Sequence, residues 1–286
     1  MNKLTITVVD TTGIQEYVFS SNRLSENIGA SYLVSQATKE WVEEALQDLE
    51  KELKHKEEVK YKVHIPNCKS LHEVHIGNED VAAEIIYTGG GNAVLLFASF
   101  QYAERLTQIL SKRVLNDAPG LNIVVAHYHD FEFGQGNLKA KINSLLEKEL
   151  AKKKRERILS VPLLGLGVTA TCQSTQLPAV NTSEQYVKTD EEDIYLISRE
   201  TEAKLKAVSN ANQKLSKEFA TVFNSEIYDF PHRTDYFGRS EGEFWGFVTS
   251  EAKHNTLVAR TNLVKLFIAT LLAGFLSIID TLSDIR

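Results

Sequence analysis

The residues best suited to chemistry fall in two short stretches. Asp10 closes an alternating run, Leu4-Thr5-Ile6-Thr7-Val8-Val9, and Thr11-Thr12-Gly13 follows it. Further on, Gly89-Gly90-Gly91-Asn92 separates two apolar runs, Ala83 to Tyr87 and Ala93 to Phe97. A carboxylate at a strand end can ligate a hard cation such as Mg²⁺ or Mn²⁺, which prefers oxygen donors. It can equally cap a turn. The glycines admit positive φ and let another group approach the backbone closely. Three in a row exceed what a two-residue hairpin turn needs, which favours close approach of a phosphate or base. Asn92 offers one neutral amide oxygen. Gln15 and Tyr17 lie just beyond Asp10. They either border a pocket or cap and pack the start of a helix.

Three other groupings carry weaker chemistry. His64, Cys68, His72 and His75 fall within twelve residues and could hold zinc through N and S ligands. Lacking a paired CxxC knuckle, they read better as an exposed histidine-rich loop. His127 and His129 share one strand face, with Asp130 next. They read as a solvated strand end rather than a metal or phosphate site. Lys152 to Arg157 is a basic run. It could meet RNA or phosphates, but cations also suit a solvated helix C-terminus.

The elements that must position these residues follow from periodicity. Leu4 to Asp10 reads as a buried strand. A helix is expected from about Asn27 to about His55, with Val42, Ala45, Leu46, Leu49 and Leu53 on its apolar face. Val59 to Ile65 reads as a strand, and Pro66 to Asp80 as a loop. The two runs around the glycines form a hairpin. A helix from Gln101 to Asn116 and a strand from Leu121 to Tyr128 complete the set. The first strand, the hairpin, the last strand and the two helices make strand, helix, strand, strand, helix, strand, which is the ferredoxin-like split βαβ order. It sets Asp10 beside the glycine turn at one sheet edge. Beyond it come an amphipathic helix from Leu138 to Leu150, a buried connection and strand from Val161 to Thr169, and a helix from Glu202 to Phe223.

Three segments resemble a known family. Asp10-Thr11-Thr12-Gly13-Ile14-Gln15-Glu16-Tyr17-Val18-Phe19, with Ile28-Gly29-Ala30-Ser31-Tyr32-Leu33, is similar to the D-x-x-G-I-Q-x-[FY]-[IV]-F opening and small-residue helix start of palm domains in the large subunit of type III CRISPR effectors. Tyr87-Thr88-Gly89-Gly90-Gly91-Asn92 stands where that family has a Y-x-G-G turn. Pro162 to Gly165 and Thr169 to Ala179 resemble a segment that follows its first palm. The resemblance covers roughly the first two-thirds of the chain. It implies a fold related to GGDEF cyclases and polymerase palms, and a nucleotide pocket at Asp10, Gly13, Gln15, Tyr17, Gly89, Gly90, Gly91 and Asn92. Active members make cyclic oligoadenylate from ATP with a GGDD turn. Two-metal nucleotidyl transfer needs several carboxylates. Here the turn has neither aspartate, so the resemblance implies a degenerate palm. Phe230 to Val248 is similar to the approach to a second palm, without its metal ligand or its GGDD turn.

Composition narrows the classes further. The chain has 286 residues, with 38 acidic and 32 basic side chains and a net charge of −6. That balance argues against gripping duplex nucleic acid over the whole surface. Two separated cysteines, Cys68 and Cys172, and no signal-peptide pattern fit the cytoplasm. Leu263 to Ile279 is nearly all apolar and short for a membrane span, so a buried helix is expected there.

The expected architecture is therefore α+β: a ferredoxin-like palm over residues 1–157, then a smaller, mostly helical region over 158–286 holding a truncated start of a second palm. The leading expectation is a CRISPR-associated, non-catalytic palm protein of antiviral defence. Its expected partners are a nucleotide (ATP with Mg²⁺ or Mn²⁺), other effector subunits, crRNA or target RNA, or a second copy as a homodimer. The alternatives are a metal-dependent nucleotidyl cyclase and a membrane-tethered accessory protein.

Overall fold

The computed structural model describes residues 3–55, 62–64, 81–132, 137–156, 168–186 and 194–223. The chain divides into two compact units, Met1–Ala211 and Asn212–Arg286. The boundary expected near residue 157 falls outside the described residues, as do the expected second palm and the apolar stretch from Leu263 to Ile279.

The first unit is an α+β assembly around one sheet. Strand β1 (Lys3–Thr12) leads through a short helix α1 (Ile14–Phe19) into α2 (Leu24–Thr38) and α3 (Glu40–His55). Then come β2 (Lys62–His64), β3 (Val81–Gly89), β4 (Asn92–Phe97), α4 (Phe100–Asp117) and β5 (Asn122–Glu132). The sheet order is β2-β3-β4-β1-β5. All neighbours are antiparallel except β2, which lies parallel to β3 at one edge.

Both faces of the sheet are covered. Apolar side chains of a strand alternate between its two faces. On one side Val9, Ile85, Leu95 and Phe97 pack against α2, α3 and α4. The expected α3 positions Val42, Ala45, Leu46, Leu49 and Leu53 are all buried there. On the other side Leu4, Ile6, Val8, Leu96 and Ala126 meet Leu145 and Leu150. These two leucines belong to a helix in three segments: α5 (Leu138–Ser144), a π-helical turn (Leu145–Leu150) and α6 (Ala151–Glu156). Asn137 caps its start by accepting from the Ala140 N–H at 3.0 Å. Ser99 caps α4 in the same way, accepting from the Gln101 N–H.

After α6 the chain forms a small ribbon of β6 (Asn181–Thr182) and β7 (Leu196–Ile197), then the long helix α7 (Arg199–Phe223). Buried Glu26 of α2 fastens this ribbon to the sheet unit. Its Oε1 accepts from Ser174 Oγ at 2.8 Å and from Tyr195 OH at 2.7 Å. Helix α7 crosses α2 so closely that a Cβ on Gly29 would lie 1.8 Å from the Lys204 carbonyl oxygen.

Two sequence expectations need correction here. The single helix from Asn27 to His55 is two helices, broken at Lys39, whose φ of −124° and ψ of −86° are not helical. The break turns α3 so that its apolar face reaches the sheet and α4. Val168, expected in a buried strand, is 93 % exposed.

Candidate functional site

Asp10 does not end its strand, since β1 continues through Thr12. It sits in the ladder directly opposite Asn92, the first residue of β4. Gly89 pairs with Asn92, so the hairpin turn proper is Gly90-Gly91. Both have positive φ, 58° and 90°. That is the signature of the turn type whose twist suits a two-residue hairpin.

Gly91 has a reason of its own to lack a side chain. A Cβ there would lie 2.6 Å from Thr11 Oγ1 and 2.7 Å from Ile14 Cδ1. Its carbonyl accepts from the Thr11 N–H at 2.8 Å and from Thr11 Oγ1 at 2.9 Å. The close approach made by Gly91 is thus to the chain's own β1–α1 junction. Gly13, at φ 72°, makes the turn from β1 into α1.

The Asp10 carboxylate is buried and already engaged. Its Oδ2 contacts the Lys154 ammonium. Oriented to satisfy its neighbours, the Asn92 amide donates to Asp10 Oδ1 and to Gly91 O at 3.1 Å. The basic run is exposed along α6, as expected of a solvated helix end, and Lys154 reaches back onto the sheet. Lys153 also does so, donating to Val125 O at 2.8 Å. Sequence reasoning missed Lys154 as a site residue. The signal was present as a run of cations, but the sheet face it meets is set by packing of the helix that carries it.

The remaining expected site residues scatter. Tyr17 is buried on the α2–α4 side of the sheet, in the same core as Val9, whereas strand alternation sends Asp10 to the opposite side. Lys204 Nζ lies 4.3 Å from the Tyr17 ring centroid and donates to Tyr17 O at 2.7 Å. Burial, and then Glu200 nearby, raise the Tyr17 phenol well above its ordinary range. Gln15 is exposed on α1. His64 lies in β2; Cys68, His72 and His75 fall outside the described residues. Among the described residues no group of three or more His, Cys, Asp or Glu is placed to hold a metal ion.

Two polar groupings have structural explanations. His129 and Asp130 are exposed as a solvated strand end, but His127 is part-buried. Its Nδ1 is 2.9 Å from Thr7 Oγ1, and its ring meets Phe100 edge-on at 5.5 Å. Burial, with Lys153 and His129 adding to it, lowers its pKa to about 4. Cys172 is fully buried beside Thr201 Oγ1 at 3.3 Å. Burial pushes its thiol up, but hydrogen bonds from Thr175, Thr201 and the backbone of Thr175 and Ser174 outweigh this and bring it down to about 7.

Two clefts of about 500 and 660 Å³ lie on the helical side of the unit, around Arg113, Asn116 and Asp117. Neither is lined by Asp10 or by the glycine turn. Their cations are largely paired, as in Arg113 with Glu44 and Lys206 with Glu202, and so is Lys154 with Asp10 beside the turn. The Asp10 edge has the more distinctive chemistry and is taken as the candidate site. Asp10 has one oxygen against an ammonium and the other against an amide N–H, and among the described residues no group of three or more His, Cys, Asp or Glu forms around it. The donor set does not fit a divalent cation.

No protein-family model and no curated protein matches the chain. A solved structure similar to it is described as the crystal structure of a Csm1-Csm4 cassette in complex with one ATP. The match has 16 % identity and a TM-score of 0.36, over 57 % of this chain and 21 % of that one. The chain thus spans about a fifth of that neighbour's length. A likeness at this level assigns no function.

Proposed function

We propose that the chain is a non-catalytic, CRISPR-associated palm-type protein of antiviral defence that binds a nucleotide at the Asp10–Asn92 end of its sheet. The motif resemblance around Asp10 and Gly89 to Asn92 supports the family. The order β5-β1-β4-β3, with helices between β1 and β3 and between β4 and β5, supports a ferredoxin-like palm with one added edge strand. The observation that carries the nucleotide reading is the meeting of Asp10, Asn92 and Lys154 beside the Gly90-Gly91 turn. A triphosphate would share Lys154 with Asp10, while exposed Gly90 leaves its part of the turn backbone open to it. The same edge could instead seat a partner subunit or RNA.

Catalysis is not part of this reading. Nucleotidyl transfer places two metal ions on several carboxylates, and among the described residues no group of three or more His, Cys, Asp or Glu joins at this end of the sheet. Calorimetric titration of ATP into the full chain tests the proposal. Saturable binding that weakens at least tenfold in Lys154→Gln is expected. Absence of binding up to millimolar ATP would sink the nucleotide reading and leave partner subunits as the object of search. ATP turnover that disappears in Asp10→Ala would favour the cyclase alternative.

A further inference from the structure

We infer that Lys154 is the resident counter-ion of Asp10 and stands where a divalent metal would otherwise sit, so that this end of the sheet meets anions without a metal. The Asp10 side chain is only 10 % exposed. Both of its oxygens face donors: Oδ2 the Lys154 ammonium, Oδ1 the Asn92 amide. A metal-binding carboxylate must turn lone pairs toward the ion. Here Oδ2 lies against the Lys154 ammonium as an ion pair without a formed hydrogen bond, and Oδ1 faces the Asn92 N–H. With its nitrogen toward Asp10, the Asn92 amide turns its oxygen away from the carboxylate.

Lys154 is also not a wandering surface lysine. Leu145 and Leu150, at 1 % and 2 % exposure, pin the preceding π-helical turn to the sheet. Lys153 ties the next turn to β5 through Val125 O. The helix therefore holds the backbone of Lys154 where its ammonium reaches Asp10. A divalent ion at Asp10 would have to displace this ammonium, whose side chain is 38 % exposed, or bind beside a like charge.

This inference deepens the reading of the edge as a nucleotide seat, but its test uses no nucleotide, so the two can fail separately. Mn²⁺ alone is titrated into the full-length chain, and free Mn²⁺ is followed by electron paramagnetic resonance. Wild type and Asp10→Asn should bind Mn²⁺ alike. Lys154→Gln should gain one site at least tenfold tighter than any in the wild type, absent from the Lys154→Gln/Asp10→Asn double variant. Lys154→Arg, which keeps the charge, should gain none. A wild-type site that Asp10→Asn removes would overturn the inference, as would a folded Lys154→Gln that binds no more tightly than wild type. Should Lys154→Gln fail to fold by circular dichroism, the comparison of wild type with Asp10→Asn decides alone.

Discussion

Asp10 and Asn92 stand directly opposite each other across the β1–β4 ladder, one step from the Gly90-Gly91 turn. The amide of Asn92 donates to one carboxylate oxygen, and Lys154 approaches the other. Groups that share a partner in this way should couple energetically. A double-mutant cycle on Asp10→Asn and Lys154→Gln should give a coupling energy of about 1–3 kcal/mol, whereas pairs with no shared partner add within about 0.5 kcal/mol. Urea denaturation of the four proteins measures it. Simple additivity would mean that the ammonium does not hold to the carboxylate in solution.

The glycines should rank by what a side chain would meet. Gly29→Ala sets a methyl 1.8 Å from the backbone oxygen of Lys204, which no rotamer change relieves. It should be the worst of the series, at about 3 kcal/mol or more, because overpacking a close helix contact forces the backbone apart. Gly91→Ala meets Thr11 and Ile14 side chains and keeps a φ of 90°, so about 2 kcal/mol is expected. Gly90→Ala makes only an ordinary contact, 3.7 Å from the Tyr87 hydroxyl, at a φ of 58°, and should cost about 1 kcal/mol. Denaturation midpoints in the order wild type, Gly90→Ala, Gly91→Ala, Gly29→Ala would agree; Gly29→Ala at wild-type stability would contradict the crossing of α2 and α7.

Lys204 is 1 % exposed and donates to Tyr17 O, to Ser20 Oγ at 3.1 Å and to Glu200 Oε1 at 2.7 Å. Removing a buried cation leaves its partners unpaired. Lys204→Met should therefore destabilise by about 3–5 kcal/mol despite its similar volume. Pairing it with Glu200→Gln should recover part of that loss. A Lys204→Met protein that melts with the wild type would show that the ammonium contributes nothing net.

His127 supplies a pH dependence. Its folded pKa of about 4 lies below the ordinary value of 6.5. Between these values the unfolded chain binds the proton and the folded chain does not, so stability rises with pH across that window. The contribution is complete above pH 6.5 and is lost as pH falls toward 4. The groups facing the ring are Lys153, His129, Phe100 and Thr7. Because the ring is only part-buried, about 1–2 kcal/mol is expected rather than the full shift. His127→Gln should flatten the stability profile between pH 4.5 and 6.5, and an unchanged slope would assign it to other groups.

Much of this architecture was legible because it obeys simple periods. The alternation of Leu4, Ile6 and Val8 and the glycine hairpin are enough to bring Asp10 to Asn92. The 3.6-residue repeat of Val42 to Leu53 correctly marks the buried side of α3. The break at Lys39 was not legible, since Thr38-Lys39-Glu40 contains no glycine or proline and only tertiary packing selects the bend. Lys204 was missed for a different reason. Lysine is almost never fully buried unless paired, and its partner at Tyr17 lies 187 residues earlier in the chain. Gly29 drew notice only as a small residue, because the helix that presses on it is far away in sequence.

The π-helical turn at Leu145–Leu150 has a consequence for how the chain could vary. Such a turn accommodates roughly one residue more than an α-helix over the same stretch, so the helix beyond it lags by roughly 100° of rotation. Which side chain of Lys152-Lys153-Lys154-Arg155 points at the sheet is therefore a matter of phase. Deleting one residue between 145 and 150 would restore an unbroken α-helix and rotate the basic run by one position. Asp10 would then face a different neighbour with no change at Asp10, Asn92 or the run itself, which a repeat of the double-mutant cycle would register as loss of the Lys154 coupling.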